Sequence, residues 1–287
     1  MTALRVTGDS PWYGIDADAL RFLELHEARA HEHPGRRVAD LGDAVLLHDP
    51  ADPEPFLNRL SALRLPDGAA EFDRRLGDLI RLFATIGRRP HLWLGAGFNT
   101  PRDLRLRLTA EGFAEAGGTY LMVLPGAARL LRLTKESGAA SANGAARVER
   151  LGIHRGAARV RLLDQAADVL IEAFGVGEAD RSSLARELDP ANDADVCVVL
   201  VGDEAVAAGR RHTADGATYL SSIGTRAGWS GRGYGSILTR ALVDDAHAAA
   251  TGPVHLAVDA RNDRARAMYQ RIGFVVVGDR ATAHVLQ

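Results

Sequence analysis

Lysine is all but missing from this chain. Lys135 is the sole one among 35 basic residues, the other 34 being arginine. A Walker A phosphate loop requires a lysine after its glycines, and a pyridoxal enzyme requires one for its Schiff base. Lys135 stands in TKESG, which is neither setting. Cysteine is as scarce: Cys197 is alone, inside the apolar run VCVVL. No disulfide can form within one chain, and the thiol reads as a small buried hydrophobe. There is no G-x-S-x-G elbow, so covalent acyl-enzyme chemistry is not expected. No apolar run approaches the ~20 residues of a membrane helix, and the opening MTALRVTGDS lacks a signal-peptide pattern. The expectation is a cytoplasmic protein without a membrane partner. With 35 basic against 37 acidic residues, the chain lacks the positive excess of a nucleic-acid binder. His31-Glu32-His33 has no third ligand nearby in sequence, so it reads as solvated surface and no metal site is expected.

What is present fits a soluble globular protein of one large domain or two moderate ones: 287 residues, 46% of them apolar. Helical spacing marks residues 15–30 and 71–86, with a hairpin over 36–47 turning at Gly42-Asp43. Strand, helix and strand follow at 91–94, 101–110 and 119–124. TKESGAASANGAA, residues 134–146, is small, polar and aperiodic and reads as a linker. Beyond it come helices over 157–174 and 181–188, then a meander of strands at 195–201, 205–212 and 217–225.

The meander leads into the most informative stretch. Ser230-Gly231-Arg232-Gly233-Tyr234-Gly235-Ser236 places three glycines at alternate positions, and a helical pattern starts at once. Such glycines let backbone approach a ligand, and the helix adds the unpaired N–H groups of its first turn. Together they form a cradle for an anion, phosphate above all. A second block follows: the strand 254–258, Asn262 before a helix, Tyr269 on it, Gly273 ending it, and Phe274 opening another strand.

These two blocks resemble the GNAT acyltransferase superfamily. Its pyrophosphate loop, [Q/R]-x-x-G-x-[G/A], is similar to residues 230–235, with Ser230 where the family has Gln or Arg. Its V-x-x-x-N-x-x-A-x-x-x-Y-x-x-x-G-F block is matched by Val258, Asn262, Ala265, Tyr269, Gly273 and Phe274. The resemblance covers 147–287. It implies a mixed α/β fold, with a mostly antiparallel sheet flanked by helices in each domain, and acetyl-CoA as cosubstrate. The implied activity is N-acetyl transfer to a small-molecule or peptide amine by direct attack in a ternary complex. The non-enzymatic alternative is an acyl-CoA-binding module.

By the same resemblance Ser230, Gly231, Arg232, Gly233, Tyr234, Gly235 and Ser236 hold the pyrophosphate. Arg232 supplies the charge that Ser230 lacks. Ile223, Thr225 and Asn262 contact pantetheine, although ordinary sheet pairing and helix capping fit them as well. Tyr269 is the acid for the leaving thiolate, against a bland reading as core. The family's frequent glutamate base falls on Tyr219, leaving His212, Asp215, Asp259 or water. The first half echoes the second: the strand 91–94, a helix, Gly112-Phe113 and a closing strand. Leu108 and Pro101 replace the tyrosine and asparagine. Residues 1–133 thus read as a degenerate GNAT-like domain without a cofactor motif, and 147–287 as the acetyltransferase domain.

Overall fold

The computed structural model describes residues 15–95, 97–125, 146–189, 194–249 and 252–287. The linker expected at 134–146 lies outside these residues except for Ala146. The described chain forms two compact units. The first comprises residues up to 122, together with 257–263 and 276–287; the second comprises 123–256 and 264–275.

In the first unit, α1 (Ala17–Ala30) starts where the Asp16 side chain accepts from the Ala19 N–H at 2.8 Å. The hairpin of β1 (Arg37–Asp40) and β2 (Val45–His48) turns where expected, at Gly42 with φ +86°. β3 (Asn58–Ser61) pairs antiparallel with β2. α2 (Ala69–Thr85) then crosses over to β4 (His91–Leu94), which lies parallel to β3. Phe72, Leu76, Leu79 and Phe83 put one face of α2 into the core with Leu60, Leu92 and Leu108. α3 (Leu104–Ala110) leads into β5 (Phe113–Leu124), longer than the strand expected at 119–124. The C-terminal strand β12 (Ala281–Leu286) pairs antiparallel with both β4 and β5. The sequence reading had placed that strand with the second domain. His31 and His33, expected on a solvated surface, are both buried. The reason is local: His31 Nε2 lies 3.3 Å from the carboxylate of Glu27, one helical turn earlier, and His33 Nδ1 accepts from the Gly35 N–H.

In the second unit β6 (Ala146–Arg150), β7 (Ala194–Val201), β8 (Glu204–Ala214) and β9 (Ala217–Thr225) form an antiparallel meander. Helix α4 (Gly156–Phe174) precedes β7 and ends at Gly175, whose φ of +65° makes a left-handed cap. A shorter helix, α5 (Arg181–Glu187), follows it. α6 (Tyr234–Ala248) connects β9 to β10 (Val254–Asp259), and β10 starts parallel to β9. α7 (Asp263–Ile272) and the two-residue strand β11 (Val275–Val276) complete the order. Alternation along the meander buries Val196, Val198 and Leu200 against Leu162, Ala166 and Leu170 of α4. Cys197 is 1% exposed, and burial pushes its thiol up to about 12, the inert state expected of it.

Candidate functional site

Three features of the second unit converge near the C-terminal end of β9. The first is a bulge. Ala208 pairs with Gly224 and Arg210 with Ser221, so β9 carries one residue more than β8 across that interval. Ser222 takes φ +51°, a left-handed conformation that costs a non-glycine residue about 1 kcal/mol. The extra residue bends the strand and takes its peptide groups out of the ladder.

The second is a short register with the parallel neighbour. β9 matches β10 only over Thr218–Leu220 opposite Val254–Leu256. Ile223 and Thr225, expected as pantetheine contacts, lie beyond the end of that register. Ile223 is in the bulge itself, and Thr225 follows it, back in register with Ala207 of β8 and past the last β10 pair.

The third is the glycine loop. Gly231 and Gly233 have φ +84° and +89°, left-handed values that favour glycine. Space beside Gly233 is open: a Cβ there would meet nothing within 4 Å. Gly235 is glycine for a different reason, since a Cβ would come within 3.3 Å of both Thr225 Oγ1 and Met268 Sδ. It brings the start of α6 against the end of β9 and against α7. Among the described residues no side chain caps α6, and its first backbone bond runs from the Ile237 N–H to the Gly233 carbonyl at 3.0 Å. The N–H groups of Gly235 and Ser236 are therefore first-turn donors without an intrahelical acceptor, at the positive end of the helix dipole. Ser230 is exposed at the loop entrance, and the Tyr234 ring is buried edge-on to Trp229 at 5.7 Å.

Arg232, the expected charge, holds its guanidinium 5.0 Å from the centroid of the Trp229 ring. A second arginine was missed. Arg264 Nη2 would lie 3.1 Å from a Cβ on Gly231, and this exposed guanidinium has no carboxylate partner among the described residues. It sits on α7, over thirty residues further along the chain. Its only sequence signal was its place two residues after Asn262. Asn262 itself immediately precedes α7, with its N–H bonded to the Asp259 carbonyl.

Tyr269 is 6% exposed, with its ring 6.0 Å from that of Phe274. Burial alone drives its pKa up, and among the described residues its hydroxyl has no hydrogen-bond partner. At neutral pH it is a neutral phenol with its O–H available to donate.

The base position is different in kind. Tyr219 is buried and packs on the His255 ring at 5.0 Å, so an aromatic pair fills the place of the family's glutamate. Asp215 is exposed in the β8–β9 turn. Seven residues of strand, roughly 23 Å, separate it from Ser222. Asp259 is gripped by Arg261, which holds its carboxyl below the usual range and makes it a weak base. His212 lies opposite Tyr219 in the ladder.

Sequence reasoning also missed a buried cluster that fixes the bulge. Arg210 on β8, 2% exposed, donates to Ser221 Oγ at 2.8 Å and to the Glu187 carbonyl at 3.0 Å. The Glu187 carboxylate lies 3.3 Å from Arg210 and accepts from Ser222 Oγ at 3.4 Å. One ion pair thus ties the end of α5 to Ser222 in the bulge and to Ser221, the last paired residue before it.

Comparison with known proteins bears on the fold and on one segment of the chain. Residues 158–274 match the model of the acetyltransferase (GNAT) family. Among curated protein sequences, none matches the chain. Among solved structures, the chain is similar to a GCN5-related N-acetyltransferase from Kribbella flavida, with TM-score 0.63 and 19% identity over 95% of each chain. It is similar to a tandem GNAT protein from the clavulanic acid biosynthesis pathway, with TM-score 0.56 and 15% identity, over 97% of this chain and 90% of that one. A GCN5-related N-acetyltransferase from Sphaerobacter thermophilus gives TM-score 0.53 and 17% identity, over 86% of this chain and 81% of that one. At these identities the structures speak for the fold, and the family match speaks for the segment: residues 158–274 form a domain of the GNAT acetyltransferase family.

Proposed function

We propose that the second unit transfers an acetyl group from acetyl-CoA directly to an amine acceptor, with both substrates bound together. One observation carries this reading: the bulge at Ser222 and the end of the β9–β10 register lie beside a glycine loop that opens an uncapped helix. Bound there, acetyl-CoA would supply an acetyl thioester, a carbonyl carbon attached to a good leaving thiolate. The residues fit it. The open space at Gly233 and the first-turn N–H groups of α6 suit a pyrophosphate, and Arg264 and Arg232 bring positive charge.

In this reading the backbone from Gly231 to Ser236 binds the pyrophosphate, and Ile223 and Thr225 present peptide groups to pantetheine. Asn262 is a further pantetheine contact. Tyr269 donates its O–H toward the departing sulfur, stabilising the thiolate and then giving it a proton. The amine must lose a proton before or as it attacks. His212, or water held near it, takes that proton, because Asp215 is remote and Asp259 is already neutralised.

The buried Tyr219–His255 pair favours a second reading, an acyl-CoA-binding module without turnover. The two separate cleanly. Acetyl-CoA is incubated with a broad panel of primary amines while free thiol is followed, and CoA binding is measured by calorimetry on the same preparation. Amine-dependent thiol release supports transfer. Tight binding with no release supports the module, and no binding removes both.

A further inference from the structure

The first unit holds a small cavity that the acetyl-transfer reading does not use. Its volume is about 40 Å³, and Glu24, Phe56, Trp93, Phe98 and Leu121 are among the residues that line it. At its edge is a buried acidic pair one helical turn apart on α1, Glu24 and Glu27. Their environments differ. Glu27 is already neutralised: Arg59 donates to it, His31 lies 3.3 Å away, and its carboxyl is held down at about 2. The Arg59 guanidinium in turn stacks on Phe56 at 4.0 Å.

Among the described residues Glu24 has no such partner. Its Oε1 accepts the Ala62 N–H at 2.8 Å, and among the described residues Oε2 accepts nothing. The side chain is more than nine-tenths buried. Oε2 lies close against Gly95, where a Cβ would sit 1.8 Å from it and 2.5 Å from Phe98, so glycine is what keeps this corner open. Leaving a carboxyl oxygen unmatched in an apolar pocket costs stability, and replacing Glu24 with leucine or glutamine would be the cheaper design.

We infer that this cavity binds the head of a small organic ammonium ion, with Glu24 Oε2 as counter-ion and the Trp93 and Phe98 rings as walls. Charge decides the sign of the ligand. Arg59 is engaged with Glu27 and Arg21 donates to the Ala62 carbonyl, so the charged group against Gly95 and Phe98 is the Glu24 carboxylate, and aromatic faces favour a cation. Size decides its class. The volume admits a methylammonium-sized group and not a metabolite, so a larger ligand would enter by its amine end. A metal is a poorer match, because no group of three metal-ligating side chains occurs among the described residues. The inference is independent of acetyl transfer.

Burial raises the Glu24 carboxyl from 4.5 to about 8, aided by Glu27 and opposed by Arg59 and Arg21. Binding a cation therefore expels a proton below that pH, and affinity climbs with pH until Glu24 is ionised. The test is saturation-transfer NMR of the full chain with methylammonium at constant ionic strength, at pH 6.5 and 8.5. The inference predicts saturable binding at pH 8.5, weaker by roughly 25-fold at pH 6.5. Glu24→Gln keeps the Ala62 hydrogen bond and should lose the binding at both pH values, while Phe98→Ala should weaken it. No saturable binding at pH 8.5, equal binding by Glu24→Gln in a folded preparation, or affinity independent of pH would each overturn it.

Discussion

Arg210 and Glu187 are paired at 3.3 Å beneath the bulge of β9, and both are largely withdrawn from solvent. The pair joins the last turn of α5 to Ser222, where the backbone leaves the ladder, and to Ser221, the last paired residue before it. The bulge is held from below by charge, where a regular ladder would be held by its neighbours.

Breaking one side of that pair should therefore be costly. Arg210→Met leaves the Glu187 carboxylate buried without its partner, at a cost of about 3 kcal/mol. Arg210→Met combined with Glu187→Gln should recover much of the loss, because no uncompensated charge remains. Urea unfolding of the two single variants and the double variant measures the coupling. Additive losses would mean the pair is not a unit.

Tyr269→Phe separates catalysis from packing, since it keeps the ring against Phe274 and removes only the O–H. If the phenol serves the leaving sulfur, kcat falls by roughly 100-fold or more while Tm and CoA affinity hold. Among the described residues the hydroxyl has no partner to lose, so a purely structural tyrosine predicts near-normal turnover and an unchanged Tm. Turnover and melting on one preparation distinguish the two.

Arg264 offers a test of the charge at the glycine loop. Arg264→Ala removes an exposed guanidinium that makes no ion pair among the described residues, so stability should change by less than about 0.5 kcal/mol. CoA affinity should fall about tenfold, and its dependence on salt should become shallower. Unchanged affinity across salt concentrations would remove Arg264 from the site.

Glu24 should leave a signature in stability as well as in binding. Its folded pKa of about 8 lies above the ordinary 4.5, so between these values the unfolded chain has released a proton that the folded chain retains. Wild-type stability then falls as pH rises through that window, by about 1.4 kcal/mol per pH unit. Glu24→Gln has no such proton, so its Tm advantage should widen from pH 5 to pH 8. A difference independent of pH would show that Glu24 titrates normally.

The parts legible in sequence were those whose physics is local. The alternate glycines, the periodicity of α2 and the Gly42 turn each specify their conformation within a few residues. The pairing of His31 with Glu27 was also local, one turn apart at the C-terminal end of α1, and was missed because two nearby histidines suggested a metal or solvent. β3 was missed because NRLS lacks a strand's alternation, and β6 because the alternation of ARVER is only five residues long and carries two small apolar side chains. β3 also follows a proline-rich stretch, and it buries Asn58 and Arg59 in polar contacts. Arg210 with Glu187, Glu24 with Ala62, and Arg264 with Gly231 join residues more than twenty positions apart, and only the folded chain brings them together. The C-terminal strand shows the same limit, for Ala283 pairs with Trp93 across most of the chain's length.

Stoichiometric calorimetry with CoA tests the central claim most directly, using the wild type and Gly233→Val. Gly233 has φ +89° with open space beside it, so valine both strains the turn and fills the room the pyrophosphate would occupy. The account predicts one CoA per wild-type chain and no measurable binding by the variant, which should remain folded by circular dichroism. Wild-type affinity in Gly233→Val, or two CoA molecules per wild-type chain, would contradict it.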